Sequence, residues 1–320
     1  MFFFRMELVK KILIPENTIV ESSNLIFDDC NVDHLEASSN IFDLRGISNV
    51  DEFGAMSLIC LFKKRLYFAE QKVLILVKNS ISCRYLKSIG FFDELKRGSS
   101  NLFINDEEIE GGTLLPPENI LRLTSLGYKG AEKKILEQLY SNLQDQGFSE
   151  NLCSRLGWAL GELADNAHTH AGSPCFMTIV GRPAKPKEPK FLCISIGDIG
   201  DGISGTLKTN PKYQNLSDLE ALCLSFKSTV TSWDDIAERG KGLNDLLAIG
   251  KGNQAWVRVE CNGISLFFDF GKIPFETKVR EASTKTAGTR FSLVLIDANF
   301  IDVSRAEIDL MIEKIMREQI

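Results

Sequence analysis

The feature that most constrains the fold is a break in pattern. Between Lys96 and Glu118 the chain loses every hydrophobic period. Gly98-Ser-Ser-Asn101, the acidic run Asp106–Glu110, Gly111-Gly112 and Pro116-Pro117 are breakers or solvated residues. On either side, β-branched runs alternate with runs of helical spacing, the pattern of a sheet covered by helices. At 320 residues the chain has length for about two such units. We therefore expect an α/β protein of two domains, 1–115 with its linker and 116–320.

In the first unit, Ile12–Val20 and Ile41–Leu44 read as strands. Phe53–Glu70 reads as a helix, with Met56, Ile59, Phe62, Leu66 and Ala69 at helical spacing. Val73–Val77 has no polar residue and reads as a buried strand. Ile81–Ile89 reads as a short helix stopped by Gly90. In the second unit, helices are expected over 131–144 and 150–169. Strands at Cys175–Val180 and Phe191–Ile196 flank an exposed Pro/Lys-rich excursion, Gly181–Lys190. A loop-rich stretch follows to about residue 240. Then come a helix (Leu243–Ile249), strands at Ala255–Glu260, Ser265–Phe270 and Thr289–Ile296, and an amphipathic helix over Ser304–Glu318. There is no internal repeat.

Composition narrows the class. Hydrophobic residues at 44% and charged residues at 25% exclude a disordered or fibrous chain. A net charge of −6 gives no electrostatic case for nucleic acid or a membrane surface as partner. Eight cysteines form no C-x-x-C pair, and three histidines are too few for most Cys/His metal sites. The cysteines read as small apolar fillers in a reduced, cytoplasmic protein. Met1-Phe-Phe-Phe-Arg5 is too short for a signal sequence, and no stretch approaches the roughly 20 apolar residues of a membrane span.

Four blocks in the second unit carry chemistry. In Gly161-Glu-Leu-Ala-Asp-Asn-Ala-His-Thr-His170, residues Glu162, Asn166 and His170 recur every four positions and line one helix face. Leu156, Leu160, Leu163, Ala164 and Ala167 form a separate apolar stripe. A carboxylate that accepts a proton, one turn from an amide oxygen that suits Mg²⁺, fits a metal–phosphate site. Alone, the pair is a weak signal, because it is common on solvated helix faces. Next, Ile194-Ser-Ile-Gly-Asp-Ile-Gly-Asp-Gly-Ile203 runs a strand into Asp198-x-Gly200-x-Gly202. The glycines admit a close ligand, and Asp198 can accept from an exocyclic amine. Then Arg239-Gly-Lys-Gly-Leu-Asn-Asp-Leu246 sets a G-x-G turn before a helix, a phosphate cradle to which Lys241 adds charge. Last, Gly288-Thr-Arg-Phe-Ser-Leu-Val-Leu295 leads a glycine–threonine pair into a strand.

In this order, over about residues 130–297, these blocks resemble the ATP-binding domain of gyrase, heat-shock chaperones, histidine kinases and mismatch-repair ATPases. This is the GHKL family, whose Bergerat fold is a two-layer α/β sandwich. The resemblance implies ATP and Mg²⁺ as ligands. Glu162 would be the general base and Asn166 the Mg²⁺ ligand, with His170 on the same face. Asp198 would read the adenine amine, with Gly200 and Gly202 against base and sugar. Arg239, Gly240, Lys241, Gly242 and Leu243 would form the phosphate segment at the end of a mobile lid, Leu207–Ala237. Thr289 would hold the adenine-side network. There is no G-x-x-x-x-G-K-[ST] phosphate loop.

In the first unit, Asn40-Ile-Phe-Asp-Leu-Arg-Gly-Ile-Ser-Asn-Val-Asp-Glu-Phe-Gly-Ala55 is a strand, a turn and a helix start, with Asp51 as N-cap. With Val73–Val77 and Tyr85–Leu95 it resembles the STAS domain of sulfate transporters and anti-sigma-factor antagonists, over about residues 8–97. The phosphoswitch antagonists carry a serine in an Asp-Ser-Ser-Gly turn. Here the turn is Asp51-Glu-Phe-Gly54, and Phe53 has no hydroxyl to phosphorylate. The small sheet-and-helix unit is then expected to act by docking or dimerising, with Phe53 at a contact surface or in the core. Glu52 reads as a helix-start charge.

The function expected is an ATP-binding regulatory protein. Slow hydrolysis or phosphotransfer in the GHKL-like domain would control contacts of the STAS-like domain with a regulatory protein partner or a second copy. A serine/threonine kinase of anti-sigma-factor type and a non-catalytic nucleotide-sensing adaptor are the alternatives. A sensor histidine kinase is not expected, because His34 is the only histidine ahead of the first block. The second domain of a topoisomerase or chaperone is not expected either, with about two dozen residues after the last strand.

Overall fold

The computed structural model describes residues 9–13, 17–18, 39–68, 72–109, 118–126, 130–145, 147–170, 173–182, 191–228, 230, 241–281, 288–296 and 301–319. The first unit runs β1 (Val9–Leu13), β2 (Asn17–Thr18), β3 (Ser39–Asp43), β4 (Asn49–Val50), α1 (Glu52–Phe68), β5 (Lys72–Leu76), α2 (Ile81–Ser88), α3 (Phe91–Lys96) and β6 (Leu102–Ile104), then a 3₁₀ turn at Asp106–Glu108. Its sheet is parallel, in the order β1-β3-β5-β6, and β2 pairs β4 separately. The second unit runs β7 (Glu118–Leu126), α4 (Ala131–Asp145), α5 (Glu150–His170), β8 (Cys175–Arg182), β9 (Phe191–Asp198), α6 (Gly202–Leu207), α7 (Asp218–Ser225), α8 (Gly242–Gly252), β10 (Trp256–Cys261), β11 (Ile264–Asp269), β12 (Glu276–Glu281), β13 (Thr289–Ile296) and α9 (Arg305–Gln319). Its sheet has the order β12-β11-β10-β13-β9-β8-β7, every pair antiparallel.

The chain is thus a mixed α/β protein. Strands up to Ile104 build the small sheets and strands from Glu118 build the seven-stranded one. The linker expected around 110–117 lies outside the described residues. The strand expected over Ile12–Val20 is instead two, β1 and β2, and α3, α6 and α7 stand where no helix was expected. Three further departures have plain physical reasons. The short strand β6 sits at a sheet edge inside the stretch read as patternless. In β7 the register shifts between Asn119 and Leu121 and again between Leu121 and Thr124, so its alternation is broken. The edge strand β12 reads Glu-Thr-Lys-Val-Arg-Glu, and an edge needs no apolar face.

The seven-stranded sheet is covered on both faces. One face is apolar: Met177, Ile179, Ile194, Ile196, Val257, Val259, Phe291 and Leu293 join one core with Leu156 and Leu160 of α5, Leu246 and Leu247 of α8, and Ile308 and Ile312 of α9. The other face meets α1, which contacts β8, β9 and β13 as well as β5 of the small sheet. Lying between two sheets, α1 has no wet side from Glu52 to Phe62. That explains a helix start apolar all round, Phe-Gly-Ala-Met-Ser-Leu-Ile-Cys-Leu-Phe. Phe176 and Val180 of the large sheet accordingly share one core with Met56, Ile59 and Phe62 of α1. To the two layers expected of the second unit, α1 adds a third.

The second sheet face is also polar where α1 covers it. Thr178, Ser195, Ser292, Arg258, Glu260 and Arg290 are all buried. Ser195 and Ser292 hydrogen-bond at 2.9 Å, and Glu260 pairs with Arg258 at 2.6 Å and Arg290 at 3.4 Å. Such groups are tolerable inside only when they satisfy one another. The described cysteines from Cys60 to Cys261 form no disulfide and are buried, as expected of filler residues.

Candidate nucleotide site

Strand pairing joins two of the four blocks. Gly197 of β9 faces Arg290 of β13, which brings Asp198 beside Thr289, 91 residues later in the chain. The Asp198 carboxylate accepts the Gly200 N–H on Oδ1 at 2.9 Å and the Thr289 N–H on Oδ2 at 3.2 Å. The Thr289 hydroxyl in turn accepts the N–H of Ile203 at 3.0 Å, tying down the first turn of α6. Two glycines make this closeness possible. Gly202 has φ +74° and Gly288 φ +83°, and a Cβ on Gly288 would lie 2.1 Å from the Asp198 carbonyl oxygen. Gly288 was legible only as the glycine of a glycine–threonine pair; its contact with Asp198 is new.

Asp198 keeps a partial exposure, but its carboxyl is enclosed. Burial pushes its pKa up to about 6, against the lowering effect of the Gly200 and Thr289 N–H groups and the charges of Arg290 and Lys64. Each carboxylate oxygen carries one N–H and retains acceptor capacity. That donor–acceptor balance suits an incoming amine.

The other two blocks meet at the helices. Helix α5 sits on the sheet through Leu156, Leu160, Ala164 and Ala167, which are all buried, so the expected apolar stripe is the packed one. Glu162 and Asn166 are half-buried away from it. The start of α8 lies directly against Glu162: a Cβ on Gly242 would come within 2.5 Å of the Glu162 Cβ. Lys241 is the N-cap of α8, and the helical ladder opens with the Asp245 N–H to the Lys241 carbonyl at 2.9 Å. The N–H groups of Gly242, Leu243 and Asn244 precede that ladder. The Leu243 side chain is buried in the core, so only its backbone can face a phosphate. Arg239 and Gly240 lie outside the described residues, as does the His170 side chain. Glu162–Gly242 and Asp198–Thr289 are thus two joined pairs.

The loop-rich stretch expected from about Asp198 to Gly240 is corrected where it is described. Far from a loose loop, the segment after Leu207 is packed. Helix α7 starts with a capping box in which Ser217 and Glu220 bond each other's backbone N–H. Lys208 pairs with Asp218 at 2.6 Å, and Leu207, Tyr213, Ala221 and Val230 form their own cluster. The polar turns at 209–217 mask this in the sequence, because the apolar residues are spread over a non-periodic path. Residues 231–237 of the expected lid are outside the described residues. Helix α9 fixes the near side: Asp309 accepts the N–H and hydroxyl of Ser228 at 2.8 and 2.7 Å and the Asn244 amide at 2.9 Å. Arg305 makes a bidentate pair with Asp245, 2.8 Å on each branch. Ser228 is therefore held by a carboxylate. We expect the amides of Asp218–Ser225 to resist hydrogen exchange without any nucleotide. Exchange there at the rate of an unstructured peptide would show that the packing does not persist in solution.

The turn of the first unit is also clarified. Asp51 caps α1, accepting the Gly54 N–H at 2.9 Å. Glu52 is not a surface helix-start charge: it is buried and accepts the Tyr85 hydroxyl. Phe53 is fully buried, with the Arg258 guanidinium 4.7 Å from its ring centre. Of its two expected places, the contact surface it occupies is the one with the large sheet.

Among the described residues no group of three or more His, Cys, Asp or Glu side chains is arranged to hold a metal. A Mg²⁺ ion would rely on the Asn166 amide and on the phosphates it accompanies. No described helix is long and apolar enough to cross a membrane. Neither a scan against protein-family models nor a search of curated proteins finds a match to this chain.

Proposed function

We propose that the chain is an ATP-binding regulatory protein. In this reading the second unit is a GHKL-type ATP domain with a Bergerat fold, and the first is a STAS-like unit that contacts a regulatory protein or a second copy. What carries the reading is the bond between blocks at Asp198. A carboxylate held by the N–H groups of Gly200 and Thr289 has lone pairs left for the adenine amine. Supporting it is the seating of the α8 start on Glu162. That would put a general base beside a helix terminus suited to phosphate. Asn166, one turn on from Glu162, offers its amide oxygen to Mg²⁺. ATP would supply the phosphoryl group and leave as ADP, and Glu162 would take the proton of the attacking hydroxyl or water.

The test is nucleotide selectivity by calorimetry with Mg²⁺ present. Guanine presents a carbonyl where adenine presents its amine, so acceptor would face acceptor at Asp198. ATP should bind in preference to GTP, and Asp198→Asn should cost about 1–3 kcal/mol of affinity. Because the acceptor is the ionised carboxylate, affinity should hold above pH about 6 and fall below it as Asp198 gains its proton. The sign for folding is opposite. A carboxyl whose folded pKa is raised loses stability as pH climbs from 3.8 to about 6. Equal ATP and GTP binding, indifferent to Asp198→Asn, would refute the assignment. With γ-labelled ATP, free phosphate, labelled protein and no turnover separate hydrolysis, kinase transfer and pure sensing.

A further inference from the structure

The loop that carries Asp198 is held from behind by the first unit. The Lys64 ammonium of α1 donates to the Ile199 carbonyl at 2.8 Å, one residue after Asp198. One and two turns earlier along α1, Cys60 and Met56 press on the backbone of Gly197. A Cβ there would lie 3.0 Å from the Cys60 sulfur and 3.0 Å from the Met56 Cγ. So residues 197–199 have α1 on one side and the Gly200 and Thr289 bonds of Asp198 on the other. Nothing in either unit's own sequence pattern requires this: a lysine at the end of an apolar helix reads as a solvated charge.

We propose that Lys64 is a positioning residue of the nucleotide site, through which the first unit sets the loop bearing Asp198. The proposal rests on the nucleotide reading given above for the ligand, and on the geometry alone for the coupling. A bond from Lys64 to the carbonyl of Ile199 fixes the Ile199–Gly200 peptide. The Gly200 N–H, the donor on the far side of that peptide, is the one that orients Oδ1. When α1 shifts, that donor shifts with it. By linkage, a partner that moves α1 changes nucleotide affinity, and nucleotide changes partner affinity by the same factor.

The experiment uses the full chain and compares Lys64→Met with Lys63→Met. Lys63 makes a bond of the same kind, to the Arg97 carbonyl at 2.7 Å, within the first unit and away from Asp198. It serves as the control for losing a lysine–carbonyl bond. Gly197→Ala perturbs the same contact from the sheet side. Hydrogen exchange over 197–203 without nucleotide is expected to speed up in Lys64→Met and Gly197→Ala but not in Lys63→Met. Affinity for a Mg²⁺–ATP analogue should fall about tenfold in Lys64→Met alone of the two lysine variants, within the range typical of positioning effects. Equal exchange in the two lysine variants overturns the coupling. Faster exchange with unchanged analogue affinity overturns the positioning role. A wild-type chain that binds no adenine nucleotide refutes the reading of the site, and the exchange comparison still decides whether α1 sets the loop.

Discussion

Phe53→Ser is expected to destabilise the full chain by about 4 kcal/mol, because it deletes a fully buried ring. Two costs add. Loss of the ring leaves a cavity between α1 and the large sheet. It also uncovers the Arg258 guanidinium, which stacks on Phe53 at 4.7 Å and whose other named partner is Glu260. Urea unfolding of the full chain measures this directly. A cost below about 1 kcal/mol would mean that the ring is not packed in solution as it is here. The same geometry bears on the isolated first unit. Helix α1 would then lose β8, β9 and β13 and present Phe53, Met56 and Cys60 to water. Residues 1–115 alone should therefore be aggregation-prone even with Phe53 intact. A soluble, cooperatively folding fragment would contradict the three-layer arrangement.

How much of this was legible in the sequence depends on what each residue faces. The long helices and buried strands were readable because their period is set by one wet and one dry side. Thr289–Ile296 is bounded as expected, and α5 spans 150–170 against an expected 150–169. The chemistry at Asp198 was readable as a set of residue types, since a carboxylate between glycines is rare in a plain strand end. Its partners were only half readable: Thr289 stood out, but Gly288 mattered more than a turn glycine would. What stayed hidden was everything decided between units. The apolar circumference of α1 is visible in Phe53–Phe62, yet helical spacing alone does not tell that a second sheet covers its other side. The Arg258–Glu260–Arg290 cluster lies on alternate strand positions that read as solvent-facing. Charge in a strand signals water unless a second layer is known to cover it. The clamp of Asp309 on Ser228 and Asn244 joins residues 65 and 81 positions apart, beyond any local rule.

Gly288→Ala is expected to be the most damaging single-methyl change in the second unit. Its φ of +83° is a conformation that an L side chain adopts at a cost of about 1–2 kcal/mol. The added Cβ would also sit 2.1 Å from the Asp198 carbonyl oxygen and 2.8 Å from its carbon. Those are backbone atoms that cannot rotate away, so relief requires β9 and β13 to part where Gly197 faces Arg290. Overpacking of this kind costs about 1–3 kcal/mol more. Gly242→Ala is the informative comparison. Its Cβ would meet the Glu162 Cβ at 2.5 Å, a contact that a shift of α8 against α5 relieves, but no positive φ is involved. In thermal unfolding Gly288→Ala should thus fall well below Gly242→Ala, and it should abolish ATP binding by displacing the Thr289 N–H from Asp198. Should Gly288→Ala match the wild type in stability, the close approach of residue 288 to Asp198 would be disproved, and with it the bond that joins the two blocks of the site.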